Sequence, residues 1–226
     1  MKALTKHSFL AAFFLCMSSS AWSQSVKDQL VFDQQDRALL TSNNLREEGT
    51  PLLTSNWLSG IVKFSNGTTY KTDFLKYDLE KDQLYFKDTK SDELLLFALP
   101  VSEFSLHIGK QTLLFKSGYA IVDRNKPTTF YQVLVDGGVQ LVKHSTKQPF
   151  DERAYNSATT TRTYKEDEYY YLVKNNVPVK IKKDKKQVII ALGNRAAELE
   201  AYCAEQKLNL KNEEDLVKLI VFYNSL

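Results

Sequence analysis

From Trp57 onward, apolar residues recur in short runs rich in β-branched and aromatic side chains, with turn-forming residues between them at close intervals. Such punctuation predicts an antiparallel β-meander. Asn66-Gly67 sets two residues that tolerate positive φ between Ile61, Val62, Phe64 and Tyr70, the composition of a two-residue hairpin turn. Past that turn, Tyr70, Thr72 and Phe74 share one face of a strand whereas Leu75, Tyr77 and Leu79 share the other. A strand that switches parity must carry a bulge or a sharp bend. Glu80-Lys81-Asp82 predicts the next turn, before Leu84 and Phe86. Asp136-Gly137-Gly138 joins Tyr131, Val133 and Val135 to Val139 and Leu141, and Asn175-Asn176 joins Tyr169, Tyr171 and Val173 to Val177, Val179 and Ile181. Residues 94–99, 104–108 and 113–115 supply further strands, for a total of roughly nine to eleven. Their spacing is too irregular for a propeller or another true repeat.

The pattern changes twice. Residues 147–168 are polar and short of apolar side chains, which predicts a long loop or linker. Beyond Lys183 the period lengthens to that of helices. Asp184 is placed to cap a short helix ending at Gly193, and Asn194 to cap a second with Ala196, Leu199 and Cys203 on one face and Tyr202 beside it. Asn212 followed by Glu213, Glu214 and Asp215 marks a third start, with carboxylates at the positive end of the helix dipole. Leu216, Leu219, Ile220 and Tyr223 form its core-facing stripe. The expected class is α+β, mainly β. An antiparallel meander or sandwich-like domain fills residues 51–146, then the linker, then a hairpin with about three helices over 169–226. Residues 24–50 are polar and weakly patterned and read as an extended arm or loop.

The N-terminus changes how the composition is weighed. Lys2 and Lys6 precede an apolar run over residues 9–17, then Ser18 to Ser20 and the small-x-small step Ala21-Trp22-Ser23. This is the grammar of a secretory signal peptide over residues 1–23, cleaved before Gln24. The run is too short to span a bilayer, and Cys16 lacks the small residues before it that lipidation requires. With Lys2 and Lys6 removed, the formal charge falls from +3 to +1, so nothing global favours nucleic acid as a partner. Cys203 is then the only cysteine, an internal disulfide is impossible, and the 203 remaining residues must stand on a hydrophobic core.

GTPLLTSNWLSGIVKFSNGTTYKTDFLKYDLEKDQLYF (49–86), YQVLVDGGVQLVKH (131–144) and KNEEDLVKLIVFYNSL (211–226) resemble segments of uncharacterised exported proteins of Bacteroidota. The shared segments are folding motifs, hairpin turns and helix caps. The resemblance implies export in a Gram-negative bacterium, to the periplasm, the outer membrane or the exterior. It implies no catalytic residue.

Chemical signatures are sparse. After the leader only His107 and His144 could serve as bases, both in strand-like contexts, and no G-x-S-x-G elbow is present. One cysteine and two scattered histidines match no zinc spacing, and no calcium loop or phosphate-binding glycine loop occurs. Asp78 and Asp82 flank a turn and could hold a cation, but turn acids ordinarily face water. No catalytic, cofactor or metal residue is assigned. Two features invite a binding role. Lys180, Lys182, Lys183, Lys185 and Lys186 crowd a strand-to-helix junction, where they could meet an anionic glycan or the acidic face of an envelope protein. Their alternation with Val179 and Ile181 favours instead a solvated sheet edge guarded against aggregation. In the tyrosine cluster, Tyr169 and Tyr171 alternate with Val173 as core residues do, which leaves Tyr164 and Tyr170 as candidates for contact with a ligand. The resulting expectation is an exported, non-catalytic envelope protein, a binding or structural module. A glycan or anion binder using the lysine run, or a hydrolase with two carboxylates about 5 to 10 Å apart, stands as the alternative.

Overall fold

The structure, a computed structural model, describes residues 31–32, 38–39, 45–88 and 93–226. The expected signal peptide lies outside the described residues, as does most of the 24–50 arm. Within that arm, β1 (Val31–Phe32) and β2 (Ala38–Leu39) pair antiparallel. The remainder, from Asn44 on, forms one compact unit built on an eleven-stranded sheet and three helices. The fold is thus α+β and mainly β, as the periodicity predicts.

The first strands of the meander are β4 (Leu58–Phe64), β5 (Thr69–Asp78), β6 (Gln83–Lys87) and β7 (Leu94–Leu96). Next, β8 (Val101–Ile108) returns to pair with β4 and hands on to β9 (Gln111–Lys116). The sheet order there is β7-β6-β5-β4-β8-β9. Residues 97–100 alone link β7 to β8, a reach of about 17 Å. Lying flat, strands four places apart would stand about 19 Å apart. The ribbon therefore curls, and Phe97 turns into the concave side against Phe64, Tyr70 and Phe86. The parity switch foreseen in β5 has this purpose. Tyr70 opposes Val62, Thr72 opposes Gly60, and after a register shift Leu75 opposes Leu58, so the bulge keeps both halves of β5 on the concave face. Gly60 is needed where β4 meets β8, because a Cβ there would run into the Ser105 carbonyl. The concave core gathers Val62, Leu75, Tyr77, Leu84, Phe104, Leu106, Phe115 and Phe130.

The other half is flatter and carries a cover on each face. It contains β10 (Tyr131–Val135), β11 (Gln140–Arg153), β12 (Thr160–Lys174) and β13 (Val177–Ile181). One face, with Leu141, Tyr170, Leu172 and Ile181, packs beneath α1 (Lys185–Leu192), α2 (Ala196–Glu205) and α3 (Glu213–Ser225). The opposite face, with Tyr131, Val142, Tyr171 and Val173, lies against Tyr119 and Val122 of the irregular segment 117–130. That segment is tied down where the Ala120 amide donates to the Asn176 carbonyl (3.0 Å) and Asn125 Nδ2 donates to the hydroxyls of Tyr131 (2.9 Å) and Tyr171 (3.3 Å).

All three predicted turns, at Asn66-Gly67, Asp136-Gly137 and Asn175-Asn176, join consecutive antiparallel strands. Three expectations need correction. Residues 147–168 are no linker: β11 and β12 pair without interruption from Gln140↔Val173 to Arg153↔Thr160, and β3 (Leu45–Glu47) adds a parallel rung beside Thr160–Arg162. The outer part of this hairpin is polar because neither face is covered, and cross-strand charge serves in place of burial. Arg162 grips Asp151, directly opposite, through two hydrogen bonds of 2.7 and 2.8 Å. No boundary separates residues 51–146 from 169–226, since the sheet runs through both. Asn194 does not cap α2 either. Its side chain accepts the Tyr223 hydroxyl of α3 (2.7 Å), and Arg195, in the left-handed region at φ 57°, occupies the cap position. Asp184, by contrast, accepts from the Gln187 amide as foreseen (3.0 Å).

Candidate ligand-binding cleft

A cleft opens where the β5–β6 turn, the 117–130 segment and the middle of β11 meet. Asp78 shapes the turn by accepting from the amides of Glu80 (2.9 Å) and Lys81 (3.0 Å). The chain then passes through Asp82 in the left-handed region (φ 54°), which aims its carboxylate inward. That carboxylate accepts the Tyr77 hydroxyl (2.6 Å) and the Phe130 amide (3.3 Å). On β11, His144 and Thr146 are two residues apart and share the face opposite the helices. His144, 7% exposed, donates from Nδ1 to the Phe130 carbonyl (3.2 Å), which leaves Nε2 as the nitrogen without a protein hydrogen bond. The Thr146 hydroxyl is buried and has no hydrogen-bond partner.

Two cavities, of about 560 and 450 Å³, share Glu80, Arg124, His144 and Thr146 as lining. The larger adds Lys81, Asp82, Lys126 and Thr129, with Leu84, Leu96, Phe97, Leu99 and Val101 as its apolar wall. The smaller adds Asp123, Lys147, Tyr169, Tyr171 and Lys180. Burial raises Asp82 above the usual carboxylate range, although the Tyr77 hydroxyl and nearby His144 offset part of the rise. Burial likewise lowers His144, helped by Lys180 and opposed by Asp82 and the Phe130 carbonyl. The imidazole is therefore neutral at pH 7, a hydrogen-bond acceptor at Nε2.

The cleft offers a ligand the Thr146 hydroxyl and the Nε2 of His144 as hydrogen-bond partners. Among the described residues, no hydroxyl or thiol is hydrogen-bonded to His144, and no cluster of three metal-ligating side chains exists. Cys203 is buried in the helix-backed core. His107 is exposed on the β8–β9 hairpin beside Thr112 and lines neither of the two cavities described.

Three lysines of the run, Lys180, Lys182 and Lys183, line a separate cavity of about 350 Å³ with Glu168, Tyr169 and Tyr170. Lys180 lies over the Tyr169 ring (4.3 Å), pairs with Asp123 (3.1 Å) and also lines the cavity of about 450 Å³. Lys183 turns to the other face, over the Tyr170 ring (4.6 Å). Lys182, Lys185 and Lys186 are exposed. Val179, expected inside with Ile181, is exposed because the helices stop short of it. Tyr164 is half-buried, its hydroxyl 3.4 Å from Glu47. Tyr170 is no surface contact. At 4% exposure it packs under α3 with its hydroxyl 2.9 Å from Glu168 and 2.7 Å from Glu213, one of which accepts its single hydrogen, and Lys143 bridges the two carboxylates at 3.1 and 2.8 Å. Of the side chains chosen from sequence only Lys180 reaches the cleft. His144 and Asp82, weighed there as bland, are its floor. The i, i+2 pair His144 and Thr146 on one strand was the available signal.

Comparison with protein-family models, with curated proteins and with solved structures finds no match.

Proposed function

We propose that this chain is an exported, non-catalytic binding module of the cell envelope, and that its ligand occupies the cleft over Asp82, His144 and Thr146. One observation carries the reading. A buried Thr146 hydroxyl without a partner and a His144 Nε2 without a protein hydrogen bond line the same cavity, and buried polar groups are ordinarily satisfied. A cavity of about 560 Å³ falls in the size range of small-molecule sites. Asp82 is spent on Tyr77 and Phe130, which speaks against a carboxylate working as acid or nucleophile.

The test uses histidine ring resonances. Once the leader is removed, the chain holds two histidines, His107 outside the cleft and His144 within it. The small-molecule fraction of an envelope extract, added to protein labelled at histidine Cε1, should shift the His144 signal and leave His107 in place. Signals that both stay fixed at saturating extract, or move together, refute the site. Export is tested by the mass of the protein recovered from the envelope fraction, which should begin at Gln24.

A further inference from the structure

Resting on that reading of the cleft, we infer the ligand's class: an amphiphilic organic anion, with an apolar body and a single carboxylate or phosphate head. The larger cavity has a mixed lining. Leu96 and Leu99, 55% and 48% exposed, line it with the half-buried Phe97 and Val101. Lys81 and Arg124 with Lys126 line it from two separate loops. None of these three cations takes part in an ion pair among the described residues.

Exposed leucines and cations without ion-pair partners lining one cavity match a molecule that is apolar at one end and anionic at the other. The acids that line the cavity set the limit on charge. Asp82 is half-buried and held by internal donors, while Glu80 stands at the rim and disfavours a second negative group on the ligand. The floor suits a head with an acidic hydrogen or a water shell, since Thr146 Oγ1 can donate and the neutral His144 Nε2 can accept. A uniformly polar sugar would leave the leucine wall wet. A purely apolar ligand would bury the three cations unpaired, at a cost that forbids tight binding.

The probes are decanoate, decyl phosphate, octanoate, acetate and decanol, titrated calorimetrically and followed by the His144 resonance. Decanoate or decyl phosphate should bind and shift His144, octanoate about tenfold more weakly than decanoate, acetate not measurably. Arg124→Gln with Lys126→Gln, both exposed positions, should weaken decanoate at least tenfold and leave decanol unchanged. Leu99→Ser should weaken all ten-carbon probes alike. Thermal unfolding of each variant checks that the fold persists. Sedimentation with phosphatidylglycerol vesicles, lost in the Arg124→Gln, Lys126→Gln protein, would show the same head chemistry drawn from a bilayer. Decanol binding as tightly as decanoate, or acetate as tightly as decanoate, overturns the inference. If the extract shifts His144 but none of these amphiphiles does, the class falls while the binding site stands. If nothing shifts His144, both fall.

Discussion

The curled half of the sheet and the helix-backed half solve one problem in different ways. A sheet must cover its apolar face, and β4 to β9 do so by bending until their aromatic rings meet, joined by Phe130 of the irregular segment. Tyr77 there contacts Phe104, Phe115 and Phe130. The flatter β10 to β13 ribbon cannot cover itself, so three helices close one face and the irregular 117–130 segment closes the other. The irregular segment leaves cavities at the seam between the halves. The seam, with cover that is neither curl nor helix, holds Thr146 Oγ1, the one buried side-chain polar atom without a hydrogen-bond partner among the described residues.

The contrast can be broken from either side. The largest effect is expected beneath the helices: Leu219, fully buried, should cost about 3 kcal/mol as Leu219→Ala in denaturant unfolding, because the helix layer cannot collapse onto the sheet to fill the void. In the curl, Gly60→Ala should cost about 2 kcal/mol by pushing β4 off the Ser105 carbonyl, and should broaden signals of β8 more than those of α3.

At the edge of the helix layer, Lys143→Met should cost about 1.5 kcal/mol, since it leaves Glu168 and Glu213 facing each other around the Tyr170 hydroxyl. Burial opposes the charge on Lys143, but Glu213 and Glu168 hold its pKa above the ordinary value. That contribution is thus present through neutral pH and is lost only in strong alkali, or in acid as Glu168, held below its ordinary value, protonates.

The smallest effect belongs to the seam. His144 titrates lower in the folded chain than in the unfolded one, so below about pH 6.5 the unfolded chain takes up the proton first and stability falls as pH falls. Asp82, raised by burial, acts in the opposite sense, losing stability as pH rises above about 4. His144→Gln should therefore flatten the decline in melting temperature between pH 7 and 5, by under about 1 kcal/mol, and an unchanged slope would show that the imidazole is not held neutral.

Local signals were legible. Asn66-Gly67 and its two counterparts announce hairpins because their residues tolerate the positive φ that Gly67, Asn175 and Asn176 adopt, and the α3 stripe of Leu216, Leu219 and Ile220 is legible because one face is buried along its whole length. The outer β11–β12 hairpin was not legible, for a strand with both faces wet shows no alternation, and its pairing rests on partners such as Asp151 and Arg162 on separate strands. Nor was the cleft. It needs a turn at Asp82, a loop at Phe130 and a strand at His144 to converge, and no spacing along the chain encodes that meeting. Asn194 misled for a related reason, since its amide serves Tyr223 across the helix layer and not its own helix.

The inward turn at Phe97 has one more effect. Because the chain leaves the sheet after Leu96, the β7 flank offers a neighbouring molecule three residues of rim, and the next ring is already locked against Phe86. A rim so brief is a poor template for intermolecular strand growth, so the curl blunts the sheet at that edge.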